Sequence, residues 1–209
     1  MTLIKICGIT NLNDAHAAVA AGADALGFNF YKPSPRYLTP ESARAIINTL
    51  PASILTVGVF VNEPSPDAVR AIADRAGVKA VQLHGDEEPD YCDALNTSIE
   101  VIKTFAISVN FDIRDLDSYQ VDAIMLDTKD DRVRGGTGRV FDWSIAQQVR
   151  LLVSRVYLAG GLSPENVSEA IEFVQPYAVD ACSSLEDKPG IKNHERMRMF
   201  VSAVRSVEP

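Results

Sequence analysis

The sequence predicts an α/β fold, a single-domain (β/α)8 barrel that spans residues 1–209. Short apolar runs alternate with segments whose apolar residues recur at helical spacing, which favours a parallel sheet. Eight such strand–helix units fit into 209 residues, at about 26 residues each, near the short end of the range for a closed barrel of this kind. Because no long linker or second zone of composition interrupts the pattern, we expect one domain. An open, doubly wound sheet is the alternative that periodicity alone does not exclude.

Eight runs have the length and composition of buried strands. They cover residues 3–7, 25–30, 54–61, 80–84, 100–104, 123–127, 155–159 and 178–182. In the first run, period-two alternation places Leu3, Lys5 and Cys7 towards the barrel axis, and Ile4 and Ile6 towards the helices. The strands therefore carry polar groups into the barrel as well as an apolar core.

Three predicted helices begin with a hydroxyl residue followed by proline and a carboxylate. The hydroxyl residues are Thr39, Ser65 and Ser163, and each suits the N-cap, while proline suits the first helical position. Gly22 and Gly77 are predicted to end helices. The last predicted helix has one apolar face, formed by Met197, Phe200, Val201 and Val204.

The composition is that of an ordinary globular protein and excludes several functional classes. The net charge of −8 and the pI near 4.9 lack the basic footprint of a nucleic-acid-binding protein. No apolar run approaches the roughly 18 to 20 residues that cross a membrane, and the N-terminus lacks the pattern of a signal peptide, so we expect a cytoplasmic protein. The three cysteines and three histidines follow no metal-ligand or disulfide spacing; no metal site or cofactor is predicted.

Reactive side chains lie where the predicted strands end, and in a (β/α)8 barrel chemistry occurs at that face. Strand 1 ends at Cys7, strand 4 carries Gln82 and His84 on one face, strand 6 ends at Asp127, and strand 8 carries Asp180. Because these strand ends direct a thiol, an imidazole and carboxylates to one face, we predict an active site there.

Each of these residues also has a structural explanation. Cys7 is explained as a small buried hydrophobe, and Asp127 as the cap of a loop. Lys5 is a candidate ion-pair partner for Asp127 or Asp180. The His84 side chain can hydrogen-bond to the backbone of a turn, and Gln82 can fill the barrel interior and hydrogen-bond there.

Two loops near the carboxyl end of the chain are candidates for a phosphate site. Gly160 and Gly161 follow strand 7, where backbone N–H groups can approach an anion closely. Ser183 and Ser184 follow strand 8, and the loops after strands 7 and 8 form the phosphate site of many (β/α)8 barrels. A tight turn and an ordinary serine-rich loop are the alternative. A third loop, GGTG at residues 135–138, is predicted to be either a lid near the site or a plain connection.

The motifs resemble, in collinear order along the whole chain, those of the phosphoribosylanthranilate isomerase family. They are KICGIT at 5–10, GFNF at 27–30, PSPRY at 33–37, VGVFVN at 57–62, VQLHG at 81–85, LD at 126–127, GGTG at 135–138 with FDW at 141–143, LAGGL at 158–162 and PGIK at 189–192. The combination of KICGIT, PSPRY and QLHG is highly specific. Strand 8 departs from the family pattern DxSSGVE, because the sequence there is DACSSLE, with Cys182 at the first serine and Ser184 at the glycine.

The resemblance implies a cofactor-independent Amadori rearrangement of N-(5′-phosphoribosyl)anthranilate in tryptophan biosynthesis. It implies Asp127 as the general acid and Cys7 as the general base. A free thiol is only about 3% thiolate at pH 7, so we expect Lys5 to raise that fraction, and we expect an apolar surround to keep Asp127 protonated.

The resemblance also implies the residues that hold the substrate. Arg36 would bind the anthranilate carboxylate as a bidentate fork, and Gly160, Gly161, Ser183 and Ser184 would bind the phosphate. His84 and Asp180 are expected to contact the substrate, with Gln82 beside them. The expected partner is this small phosphosugar–anthranilate molecule, with no nucleic acid and no membrane, and the chain is expected to be a monomer or a homodimer.

Three other functions are alternatives for a barrel of this kind. A histidine-pathway aldose–ketose isomerase on the same barrel would use a pair of aspartates as acid and base, one of them at the end of strand 1. This chain has Cys7 at that position. A pentose-phosphate epimerase requires metal-binding histidines at several strand ends, and only His84 is so placed. A barrel that binds a phosphorylated metabolite without catalysis is disfavoured by the presence of both Cys7 and Asp127.

Overall fold

Eight parallel strands close into a barrel in the order in which they occur along the chain. The structure is a computed structural model that describes residues 1–96, 99–107, 111–128 and 143–207. The strands are β1 (Leu3–Ile6), β2 (Ala25–Asn29), β3 (Leu55–Phe60), β4 (Ala80–Leu83), β5 (Glu100–Ile107), β6 (Ala123–Thr128), β7 (Val156–Leu158) and β8 (Ala178–Ala181). Closure of the sheet by the β1–β8 pair confirms the predicted barrel and excludes the open sheet.

Helices connect the strands on the outside of the barrel. They are α1 (Leu12–Ala21), α2 (Pro40–Ile47), α3 (Pro66–Ala76), α4 (Pro89–Asn96), α5 (Trp143–Leu152), α6 (Val167–Val174) and α7 (His194–Ser206). Between β5 and β6, the described residues contain a 3-10 helix (Ile113–Ser118) in place of an α-helix. A second 3-10 helix (Ser183–Leu185) and a small hairpin of β9 (Glu186–Lys188) and β10 (Ile191–Lys192) follow β8.

The N-cap predictions hold for two of the three helices. Thr39 and Ser65 accept hydrogen bonds from the backbone of their helices, as N-cap residues do. At Ser163 the prediction was wrong by one turn, because α6 begins at Val167. There the Asn166 side chain accepts from the Ser163 N–H at 2.8 Å and donates to the Gly161 carbonyl, so the asparagine holds a separate turn before the helix.

The core has two parts, one inside the barrel and one between the barrel and its helices. Val57, Ile102, Met125 and Tyr157 are among the buried residues of the inner part. Ile4 and Ile6 belong to the outer part and Leu3 packs against the inner one, as alternation in β1 predicts. The apolar face of α7 is confirmed, since Met197, Phe200, Val201 and Val204 are all buried.

Within the part of the chain that the structure describes, no helix is both long and apolar enough to cross a membrane.

Candidate active site

Lys5 lies fully buried inside the barrel and forms an ion pair with Asp180. Its Nζ is 2.7 Å from Asp180 Oδ1, and the two residues face each other in the β1–β8 register. The sequence left two candidate partners for Lys5, Asp127 and Asp180. The structure shows that the partner is Asp180. The pair fixes the Lys5 ammonium group and its carboxylate partner below the mouth of the barrel.

The Cys7 thiol lies just beyond the end of β1, and its backbone N–H donates to the Ala181 carbonyl at 3.0 Å. The neighbouring Cys182 thiol is the main reason that the pKa of Cys7 falls from 9.0 to about 7. Burial opposes the shift, and the Lys5 charge adds to it in the expected direction. A thiol with this pKa is about half thiolate at pH 7, so Cys7 is suited to remove a proton.

Gly27, on the neighbouring strand β2, leaves the space that the Cys7 thiol occupies. A Cβ atom at position 27 would lie 2.6 Å from the Cys7 sulphur, which is closer than non-bonded atoms approach. Gly8, with a φ of +75°, similarly leaves room for Arg36 and Cys182. The glycine in GFNF thus has a steric role that the sequence analysis did not single out.

Arg36 is held by a carboxylate of the chain itself. Its Nε donates to both Glu186 oxygens, at 2.9 and 3.1 Å, and its Nη2 donates to Oε2 at 2.6 Å. Lys192 Nζ contacts the same carboxylate at 2.9 Å. The contact with Glu186 uses the Nε–Nη2 edge of the guanidinium, so the Nη1–Nη2 edge is the one left for an incoming anion.

Sequence analysis missed Glu186 and Lys192 at the site, although both lie in segments whose motifs it quoted. Glu186 ends the strand 8 motif, and Lys192 ends PGIK. The position at the end of a motif is the only feature of the sequence that points to a role of these two residues in the site.

On the other side of the barrel mouth, a cavity of about 430 Å³ opens over β3 to β6, and His84, Lys103, Tyr119 and Asp127 are among its lining residues. Asp127 lies near the end of β6, and its Oδ2 is 3.4 Å from His84 Nε2. Burial is the main cause that lowers the pKa of His84 below its ordinary value of 6.5. The imidazole beside Asp127 is therefore neutral at neutral pH.

Gln82 is buried and orients His84. Its Nε2 lies 3.0 Å from His84 Nδ1 and 3.1 Å from Thr104 Oγ1. A donation from the amide nitrogen to Nδ1 would leave the imidazole hydrogen on Nε2, facing Asp127. The predicted shared face of Gln82 and His84 is thereby confirmed.

The two predicted phosphate loops lie side by side. Gly160 and Gly161 have positive φ values of +86° and +72°, a conformation that favours glycine. Ser184, in the 3-10 helix after β8, donates its hydroxyl hydrogen to the Leu162 carbonyl and so ties the two loops together. That hydroxyl already has an acceptor, so a phosphate would meet the backbone N–H groups of Ser183 and Ser184, which a helix leaves without internal acceptors in its first turn.

The remaining expectations concern a metal and the GGTG loop. Among the residues that the structure describes, no cluster of three or more histidine, cysteine, aspartate or glutamate side chains could hold a metal ion. Residues 135–138 lie outside the described ranges.

Comparison with known proteins identifies the family. Residues 4–203 match the family model of N-(5′-phosphoribosyl)anthranilate (PRA) isomerase. A relative from Thermotoga neapolitana, named N-(5′-phosphoribosyl)anthranilate isomerase, is 47% identical over 207 residues and covers 99% of this chain and 100% of its own.

Solved structures agree with this family. A phosphoribosylanthranilate isomerase in complex with reduced 1-(o-carboxyphenylamino)-1-deoxyribulose 5-phosphate has a TM-score of 0.85 and 40% identity, and the match covers 99% of this chain and 100% of that one. Monomers generated from the dimeric isomerase of Thermotoga maritima match with the same TM-score, identity and coverage. The chain therefore belongs to the N-(5′-phosphoribosyl)anthranilate isomerase family.

Proposed function

We propose that the protein converts N-(5′-phosphoribosyl)anthranilate to 1-(2-carboxyphenylamino)-1-deoxyribulose 5-phosphate, an aldose–ketose isomerisation in tryptophan biosynthesis. One observation carries the proposal in this family of enzymes. Cys7 and Asp127 lie at the carboxyl ends of β1 and β6, which β7 and β8 separate in the closed ring. A thiol that ionises near neutral pH and a carboxyl group thus approach a sugar from two different sides of the barrel mouth.

Asp127 acts first, as the general acid. It protonates the ring oxygen of the furanose, the C1′–O bond breaks, and the nitrogen lone pair forms an iminium at C1′. The neutral His84, whose Nε2–H faces the Asp127 carboxyl at 3.4 Å, stabilises the carboxylate that remains after proton transfer. Ring opening requires no external redox group, because the nitrogen of the substrate supplies the electron pair.

Cys7 then acts as the general base. Its thiolate removes the proton from C2′, and the electron pair of that bond moves towards the iminium to give an enolamine. The enolamine tautomerises to the ketone of the product. Each of the two proton transfers accounts for roughly 10²- to 10⁴-fold of the rate, and no cofactor is part of the proposal.

The substrate is held at its two charged ends. Arg36 binds the anthranilate carboxylate through its Nη1–Nη2 edge, since Glu186 occupies the other edge. Gly160, Gly161, Ser183 and Ser184 bind the phosphate through the adjoining loops after β7 and β8. These local donors compensate for the net charge of −8, which by itself repels an anionic substrate.

Asp180, His84 and Gln82 complete the set. The Asp180 carboxylate lies 2.7 Å from Lys5 Nζ and keeps Lys5 in place below Cys7. It also accepts a hydrogen bond from a sugar hydroxyl. His84 contacts the substrate from the cavity side, and Gln82 fixes its tautomer.

The cellular setting follows from the same proposal. We propose a cytoplasmic enzyme whose partner is this small molecule rather than nucleic acid, and which is a monomer or a homodimer. The dimeric relative from Thermotoga maritima supports a search for the homodimer by sedimentation.

The test follows the anthranilate fluorescence after the protein is mixed with phosphoribosylanthranilate. Turnover is expected for the wild type, and the Cys7→Ser variant should lose about 10²-fold or more in kcat while still binding a product analogue, because a serine hydroxyl is too weak a base. An inactive, folded wild type would overturn the proposed activity. A Cys7→Ser variant that keeps more than about a tenth of the wild-type kcat would overturn the assignment of the base.

A further inference from the structure

Cys7 and Cys182 are neighbours across the seam where the barrel closes. The β1–β8 register ends with Ile6 opposite Ala181, so the two cysteines are the next residues on each strand, and the Cys7 N–H still donates to the Ala181 carbonyl. Adjacent strands lie about 4.8 Å apart, inside the Cα–Cα range of roughly 4.4–6.8 Å that a disulfide spans. Because residues at the same level of neighbouring strands point to the same face of a sheet, the two side chains lie on the same side.

The surroundings of the two sulphur atoms favour oxidation. Both cysteines are free and partly exposed, so a small oxidant can reach them. Lys192 Nζ lies 3.8 Å from the Cys182 sulphur, and the positive charge of Lys5 helps to lower the pKa of Cys7. Cys7 is therefore the thiol that an oxidant attacks first, since a thiolate is the reactive form. The pKa of Cys182 is raised by Cys7 and by burial, so Cys182 is suited to react second, with the oxidised Cys7.

Cys92 provides the contrast within the same chain. It is fully buried in the outer core, and burial is the main cause that raises its pKa to about 11. Its thiol should therefore remain protonated and inert under conditions in which Cys7 reacts.

We propose that Cys7 and Cys182 form an oxidation site at which a hydroperoxide drives formation of a disulfide that reversibly stops the isomerase. The disulfide itself is inferred from the geometry alone, and only its effect on catalysis rests on the proposed role of Cys7.

The chemistry balances with the peroxide as the only oxidant. The Cys7 thiolate attacks one peroxide oxygen, the O–O bond breaks, and with one proton the products are a Cys7 sulfenic acid and the first water or alcohol. The Cys182 sulphur then attacks the Cys7 sulphur, the S–O bond breaks, and the hydroxyl leaves as water with the proton of the thiol. Two thiols lose two electrons and two protons in total, and a dithiol reductant returns both.

The disulfide would stop catalysis because it removes the lone pair with which Cys7 takes the proton from C2′. It would also protect the site, since a sulfenic acid with a thiol beside it forms a disulfide before it is oxidised further to a sulfinic acid. Reversibility is therefore the property that distinguishes this site from ordinary oxidative damage.

The experiment treats the reduced full-length protein with hydrogen peroxide and follows both chemistry and activity. Peptide mapping of the wild type should show a Cys7–Cys182 disulfide and a free Cys92, with one free thiol left of three. Activity on phosphoribosylanthranilate should fall about 10²-fold or more and return with dithiothreitol.

Cys182→Ser is the matched control, because a serine hydroxyl keeps a donor beside Cys7 but cannot form the disulfide. Relative to its own untreated activity, it should be inactivated by peroxide without recovery in dithiothreitol, and its Cys7 should carry a sulfinic acid. Cys92→Ala should behave like the wild type.

A wild type in which Cys7 is overoxidised as readily as in Cys182→Ser, or in which neither thiol reacts, would overturn the proposal. A disulfide that forms but leaves turnover unchanged would instead support the oxidation site and contradict Cys7 as the base.

Discussion

The acidity of the Cys7 thiol depends on neighbours that come from opposite ends of the chain. The Cys182 thiol is the main cause that lowers the pKa of Cys7 to about 7, and the buried Lys5 charge acts in the same direction. A base must be deprotonated to act, so activity should be lost as the pH falls through about 7. An unperturbed thiol would place this loss near its ordinary value of 9.0.

The pKa of Cys7 can be measured directly from its rate of alkylation by iodoacetamide as a function of pH, with each cysteine followed by mass spectrometry. The midpoint for Cys7 should lie near pH 7 in the wild type and at higher pH in Cys182→Ala, which lacks the donor. Cys92 should not react over the same range. A Cys7 midpoint that is the same in both proteins would show that Cys182 does not set its acidity.

Arg36 offers a second test at the scale of one residue. Arg36→Lys keeps the positive charge but loses the planar geometry of the guanidinium. KM should therefore rise by about tenfold, the effect expected when a charge-assisted hydrogen bond is removed. This change in KM should be larger than the decrease in kcat. Steady-state kinetics measures both constants. Glu186→Gln is the comparison: it keeps the Arg36 guanidinium but removes the charge that pairs with the buried Lys192, so its melting temperature is measured as well. In the folded variant the increase in KM should be smaller. An unchanged KM in Arg36→Lys would mean that this residue does not hold the carboxylate.

At the scale of elements, similar sequences at helix starts have different structures. Ser65 caps α3 by accepting from the Ala68 N–H at 3.2 Å. The Ser163 hydroxyl accepts from the Glu165 N–H, at 3.3 Å, in a turn that precedes α6. The sequence could not separate the two cases, since the difference lies in Asn166, whose side chain accepts from the Ser163 N–H and donates to the Gly161 carbonyl.

Replacement of each serine by alanine should reveal this difference in stability. Ser65→Ala should lower the free energy of unfolding by about 0.5–2 kcal/mol, the usual effect of removing an N-cap. Ser163→Ala should lower it by less, because Asn166 holds that turn without the serine hydroxyl. Urea unfolding of both variants measures the two values, and equal losses would contradict the role given to Asn166.

At the scale of the whole molecule, closure of the barrel determines which predictions the sequence could support. Alternation predicted that Lys5 points inwards, because that depends on its own strand. It could not assign the partner, because Asp180 is 175 positions away and becomes a neighbour only when β1 pairs with β8. The same limit applies to Arg36 and Glu186, which are 150 positions apart, and to the contact between Cys7 and Cys182.

The central claim is that the closed barrel places an acid at the end of β6 opposite a base at the end of β1. Asp127→Asn tests the acid, because asparagine has nearly the same size but cannot deliver a proton. The Asp127 side chain is 28% exposed, so the substitution should leave stability unchanged. Asp180→Asn is the matched control at another strand end, since it leaves the fully buried Lys5 without its ion-pair partner and should cost about 3–5 kcal/mol.

The decisive measurement is kcat together with the melting temperature of Asp127→Asn. We predict a loss of about 10²-fold or more in kcat, an unchanged melting temperature, and binding of a phosphate-bearing analogue within a few-fold of the wild type. A variant that melts early, and whose loss of activity matches its loss of folded protein, would contradict the account by making Asp127 structural.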